Sequence, residues 1–252
     1  AVSLVATPAT AHFQLVYTPE ANLQTAGEIP LKLLFWHPME NGHVMDMAEP
    51  REFFVRFRGE RTDLKPSLSR VTFAGLRNEG QAFSATTDLR RAGDYTFVVV
   101  PEPYYEESED VYIQQFTKTI VNRGGLAIDW MEPVGLPAEI VPLNKPYSVI
   151  AGSTFSGVVL SDGEPAGGAT VEIEHVPAEP DVDADRPASD AQVQVPGGGI
   201  TMVTKADGSF TFGIPEPGLW GFAAIGIGTE RAHAGKGLEQ GAVLWVYAHE
   251  MN

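Results

Sequence analysis

NRGGLAIDWMEPVGLP, residues 122–137, interrupts an otherwise regular run of short strand-like segments with two adjacent glycines and two prolines. Glycine and proline in such density punctuate a chain rather than continue a ladder. Before the break lie IPLKLLFW (29–36), EFFVRFRG (52–59), RVTFAGL (70–76), QAFSATTDL (81–89) and DYTFVVVP (94–101), all rich in aromatic and β-branched residues. VYIQQFTKTIV (111–121) is a further candidate, with some apolar positions out of step. After the break come EIVPL (139–143), TFSGVVL (154–160), ATVEIEHV (169–176), TMVTKADGSFTFGI (201–214), WGFAAIGI (220–227) and AVLWVYAHE (242–250). Short alternating runs bounded by turn formers read as strands. No stretch repeats apolar residues at helical spacing for three turns.

The pattern predicts an all-β chain of two antiparallel β-sandwich domains, because each sheet must cover the apolar face of another. The first spans 12–135 and the second 136–252. Asp207-Gly208, set between strand-like flanks, predicts a tight hairpin. PAEPDVDADRPASDAQVQVPGGG (177–199) alternates acids and prolines with few bulky apolar residues, and predicts an exposed acidic insertion. Aspartates 181, 183 and 185 have a calcium-like spacing, but the glycine and closing glutamate of such a loop are missing.

Seventeen Lys and Arg against thirty-three Asp and Glu give a formal charge of -16. Such a field repels phosphate backbones and anionic membranes, so nucleic acid is a poor partner, whereas a cationic ligand gains from it. The chain has no cysteine, which excludes thiol nucleophiles, disulfides and cysteine-ligated metal centres. Neither a G-x-S-x-G elbow nor an H-E-x-x-H helix occurs. AVSLVATPATA (1–11) begins apolar and ends small-x-small, and is expected to be a residual signal-peptide tail or a disordered arm. Cleavage after Ala11 would free His12 as a terminus offering both an amine and an imidazole. No later run approaches the length of a membrane span.

HPMENGHVMDM (37–47) concentrates two histidines, three methionines and two carboxylates. A reversal at Asn41-Gly42 would bring His37 and His43 toward one point. Glu40 and Asp46 add hard oxygens, and Met39, Met45 and Met47 add thioethers. Imidazole with carboxylate suits nickel, cobalt, copper or zinc. The candidate metal ligands are therefore His12, His37, His43, Glu40, Asp46 and Met39, and the alternative is a surface loop whose methionines pack on the sandwich end. His233 and His249 are weaker candidates, His175 has no assigned role, and PYYEESED (103–110) reads as a solvated acidic loop.

AHFQL (11–15), FWHP (35–38), GLPAEIVPLNKPYSVIAG (135–152), DGEPAGGATVE (162–172), TKADGSFTFGIPEPGLWGFAA (204–224) and AVLWVY together resemble the periplasmic component found with bacterial cobalt and nickel uptake transporters. The resemblance implies an exported two-domain β protein whose second domain is similar to carboxypeptidase-regulatory or transthyretin-like sandwiches, and the second sandwich is accordingly expected to be immunoglobulin-like or transthyretin-like. It implies that nickel or cobalt is bound in the periplasm and presented to an inner-membrane uptake transporter, without catalysis, through histidines matching His12 and His37. Two other readings stand beside it: a copper-dependent oxidative enzyme using a terminal histidine chelate, and a non-catalytic structural or adhesive β-sandwich protein.

Overall fold

The computed structural model describes residues 12–251. Among them the fold is all-β and multi-sheet. A first sheet has the strand order Phe13–Tyr17, Gly27–Trp36, Glu79–Leu89, Ser69–Ala74, with Val44–Met45 added beside the end of Gly27–Trp36. A large sheet of twelve strands follows the path Ile200–Val203, Thr170–Val176, Gly218–Ala224, Lys236–His249, Val111–Arg123, Gly93–Val100, Glu52–Phe57, Glu60–Asp63. A third sheet joins Ala138–Pro142, Thr154–Ser161, Glu164–Pro165 and Ser209–Gly213.

The large sheet lies between the other two, and its side chains sort by strand alternation. Phe53, Val55, Phe97, Val99, Val243, Trp245 and Tyr247 enter one core with Leu15, Leu33 and Phe83 of the first sheet. Their immediate neighbours Phe54, Val98, Leu244 and Val246 enter a second core with Ile140, Phe155, Val159 and Phe210 of the third. A strand covered on both faces has no polar side to show, which is why FVVV (97–100) and AVLWVY (242–247) are continuous apolar runs. Trp245 lies across its cross-strand partner Gly221, where any Cβ would come within 2.6 Å of the indole.

The two stretches expected to form separate sandwiches share this sheet. Lys236–His249, the last strand, pairs in parallel with Val111–Arg123 over nine residues, from Val111 opposite Gly237 to Thr119 opposite Trp245. The out-of-step pattern of 111–121 has the same origin. Gln114, Gln115, Thr117, Lys118 and Thr119 are buried, and several serve as ties between layers. Gln115 Oε1 accepts the Gln14 amide at 2.8 Å and the Thr119 hydroxyl donates to Val16 O at 2.5 Å, while within the large sheet Gln114 Oε1 accepts from Gln240 on the adjacent strand at 2.9 Å.

The segment after residue 123 is fastened to the large sheet by buried polar groups. The Asp94 carboxylate accepts the amides of Ile128 and Asp129, at 2.6 and 3.1 Å. Arg56 donates to the carbonyls of Glu132 and Pro133. Glu139 accepts the amides of Val134, Gly135 and Leu136 and pairs with Lys118 at 2.5 Å, both side chains 2% exposed or less.

Two local expectations differ from the structure. Asp207-Gly208 does make a turn, with Gly208 at φ 74° and its amide donating to Lys205 O at 2.9 Å. Its flanks do not pair with each other, because Ile200–Val203 joins Thr170–Val176 in the large sheet while Ser209–Gly213 joins Thr154–Ser161 in the third. Turn chemistry fixes a reversal, and the burial of Phe210 and Phe155 decides the partner. The insertion 177–199 is largely exposed or half-buried, but it is anchored over residues 179–187 rather than projecting freely. Pro180–Asp181 pairs with Arg186–Pro187, Lys32 pairs with Asp185, Asp185 O accepts the Ala74 amide, and Tyr17 donates to Glu179. Ion pairs and backbone bonds substitute for the bulky apolar residues that the segment lacks.

The Lys118–Glu139 pair yields the first test. Replacing one partner leaves an uncompensated charge in a dry interior, a loss of roughly 3–5 kcal/mol. Lys118→Met is therefore expected to lower the urea midpoint by an amount corresponding to that loss, far more than Lys65→Met at an exposed ion pair. Equal midpoints for the two variants would contradict the structural role.

Candidate functional site

The histidine segment folds as a closed reversal at the end of the first sheet. Phe35 and Trp36 pair with Met45 and Val44, the Gly42 amide donates to His37 O at 2.8 Å, and the His37 amide donates to His43 O at 3.2 Å. Asn41 adopts φ 47°, the left-handed conformation that asparagine tolerates. His12 arrives from a different direction. Phe13 is registered opposite Trp36, which sets His12 beside His37 with ring centroids 4.4 Å apart.

The other expected ligands are deployed differently. His43 is exposed. Met39 is buried, and its amide donates to Glu174 at 3.0 Å. Asp46 Oδ1 accepts the Gln81 amide at 2.7 Å, bracing the neighbouring strand. Glu40 lines a small recess with Glu172 and Glu174. Among the described residues, no group of three or more His, Cys, Asp or Glu side chains is placed to hold a metal ion. That finding stands against the expected function of carrying nickel or cobalt to an uptake transporter, and that reading is corrected here. Local concentration of donors is not convergence: Met39 is buried, His43 is exposed, and Asp46 Oδ1 is held by Gln81. The expected cleavage point and the arm 1–11 lie outside the described residues.

One partner was missed in the sequence. PYYEESED forms a hairpin in which Tyr104–Glu106 pairs with Val111–Arg123. Glu106 meets His12 Nε2 at 3.0 Å, and Tyr104 packs edge-on against Phe35 at 5.2 Å. Burial lowers the His12 pKa, against the opposing pull of Glu106 and Glu109. The two adjacent tyrosines before the acids were the only available signal. The remaining histidines serve packing: His175 stacks on Trp220 at 4.6 Å, His233 meets Tyr112 edge-on at 4.7 Å, and His249 Nε2 donates to Tyr147 O at 2.8 Å.

The segment 177–199 closes over the histidine reversal. Asn41 Nδ2 donates to Ser189 O and Ala191 O, and the Val193 amide donates to Met39 O. Under this cover Glu174 is pushed up to about 8, by burial above all and then by Glu172 and Glu40. A carboxyl that stays neutral in the fold while ionising when unfolded stabilises fully below its ordinary pKa of 4.5, and that contribution is lost as pH rises toward about 8. Glu174→Gln should therefore gain on wild type between pH 5 and pH 8 by more than about 1.4 kcal/mol, the equivalent of one pKa unit. Thermal melts of both proteins at the two pH values measure this, and parallel pH profiles would refute it.

Among the described residues no helix is long and apolar enough to cross a membrane. No curated protein sequence matches the chain. Among solved structures, the adhesin InvE of Yersinia pseudotuberculosis aligns over 95% of this chain and 61% of its own, at 11% identity and a TM-score of 0.26. A DUF4785 family protein of Legionella pneumophila aligns over 63% of this chain and 38% of its own, at 14% identity and a TM-score of 0.28. The fibronectin(III)-like modules of Clostridium thermocellum CbhA align over 95% and 99%, at 10% identity and a TM-score of 0.21. The chain thus spans less than two thirds of the first two of these proteins. A family model covers residues 9–228, and the chain accordingly belongs to the family described as Domain of unknown function (DUF4198).

Proposed function

We propose that the protein is a non-catalytic structural or adhesive β protein, built to hold its shape when pulled from its ends. The observation that carries this reading is the arrangement of its terminal strands. Phe13–Tyr17 and Lys236–His249 run in the same direction on facing layers. Trp245 Nε1 donates to Gln14 O at 2.9 Å, and the Tyr247 hydroxyl donates to Thr18 O at 2.6 Å. The last strand is further zipped in parallel to Val111–Arg123 over nine residues. Tension between the ends then loads many bonds in shear at once, whereas tension on a hairpin peels them one by one. The polar groups of the interior support the same reading, because Asp94, Asn122, Lys118, Glu139 and Gln115 are engaged in fastening layers and linker. In this view the chain is two sandwiches fused through a common central sheet, the second of immunoglobulin-like or transthyretin-like type.

Forced unfolding reports the barrier to opening rather than the equilibrium stability. Single molecules stretched between residues 12 and 251 should rupture in one step, at a higher force than molecules stretched between residues 59 and 251. The second geometry peels the exposed Glu60–Asp63 edge strand. Tyr247→Phe should lower the first force and leave the second unchanged. A lower or equal force in the end-to-end geometry would defeat the load-bearing reading.

A further inference from the structure

Beside His12, between the first sheet and the Tyr104–Glu106 hairpin, lies a cavity of about 140 Å³. Its walls include Phe35, Tyr104, Met47 and Ile113, with the carboxylates of Asp46 and Glu102 also on the lining. We propose that this cavity is a binding site for a small organic cation, an alkylammonium or quaternary ammonium group. The proposal goes beyond the structural reading above and stands without it.

Three observations converge. First, the lining contains aromatic and thioether surface and carboxylates, but no lysine or arginine. An ammonium ion is attracted to the negative face of an aromatic ring and gains more when a carboxylate stands nearby. Second, the field at the cavity wall is negative. The Tyr104 hydroxyl is pushed above its ordinary pKa by burial and then by Glu106, Asp46 and Glu107. The one imidazole beside it, His12, has its pKa lowered by burial. Third, the adjacent tyrosine already performs this recognition within the chain. The Lys236 ammonium sits 4.7 Å from the centre of the Tyr105 ring, bonds the Tyr105 hydroxyl at 2.8 Å and pairs with Asp110. Tyr104 and Phe35 present a second aromatic and acidic setting, and among the described residues no lysine or arginine lies over either ring.

The carboxylates retain capacity for a ligand. Asp46 accepts the Gln81 amide through Oδ1, and Glu102 meets Arg51 through Oε2. The volume, about 140 Å³, suits a compact head group. Quaternary ammonium is favoured over a metal ion because most of the lining is carbon, which gives nothing to a hydrated divalent ion and much to methyl groups.

Calorimetric titration of the full chain with choline, and with the uncharged tert-butyl analogue of choline, tests the proposal. Choline should bind at least tenfold more tightly than its neutral analogue, and added salt should weaken it. Tyr104→Ala should reduce choline affinity at least tenfold, while Tyr104→Phe, which keeps the ring face, should retain it. Asp46→Asn preserves the acceptor for Gln81 and should weaken binding several-fold. Melting curves establish that each variant is folded; if Tyr104→Ala is not, Asp46→Asn and the neutral analogue decide. Equal affinity for choline and its analogue would reduce the cavity to an apolar pocket. Binding that ignores both Tyr104→Ala and Asp46→Asn, or no binding at millimolar choline, would overturn the assignment.

Discussion

The Lys118 ammonium is buried against the Glu139 carboxylate at a point where three parts of the chain meet. Lys118 belongs to the central strand Val111–Arg123, Glu139 opens the third sheet, and the segment between them is held by the same carboxylate through three backbone amides. Burial alone would raise the Glu139 pKa, but the lysine and the amide donors override it and hold the carboxyl below its ordinary range. Such a pair contributes little net stability compared with a well-packed apolar substitute. What it supplies is position: Glu139 satisfies its acceptors only when Val134–Leu136 turns as it does, and that turn places the third sheet on the far face of the large one.

Much of the secondary structure could be read from apolar alternation and turn chemistry, because these are local. IPLKLLFW, DYTFVVVP and AVLWVY are strands in the structure as in the sequence. Pairing is not local. Asp207-Gly208 marks its reversal correctly yet links two different sheets, since nothing in a turn records which face its flanks will bury. The break at 122–137 likewise reads as a divide between domains. Its glycines and prolines describe an irregular backbone, and they carry no information about Lys236–His249 returning more than a hundred residues later to pair with Val111–Arg123.

The site divides in the same way. A reversal at Asn41-Gly42 follows from residue type, and the approach of His12 to His37 follows from a register that only the folded sheet defines. Donor density in HPMENGHVMDM suggested a metal because imidazole, carboxylate and thioether are counted without regard to direction. In the fold, the Met39 amide bonds Glu174, Asp46 braces Gln81 and Asn41 holds the covering segment. The acidic hairpin at 103–110 had the opposite fate. Its charge suggested a solvated loop, while its tyrosines form an aromatic wall next to the histidines.

The position of Lys236–His249 in the middle of the large sheet has a consequence for biosynthesis. The strand that joins both halves is made long after its partner, so the edge of Val111–Arg123 stays uncovered while the intervening residues emerge. Gln114 and Gln240, hydrogen-bonded across that seam, are 126 residues apart in sequence. Contacts of such separation close slowly, because the loop entropy is spent before the contact rewards it. An unpaired apolar strand edge in a nascent chain is open to addition by another strand. The fold therefore depends on the fourteen-residue strand Lys236–His249 arriving before a neighbouring chain does. A chain truncated before Lys236 would retain most of its sequence and lose a strand that feeds both cores.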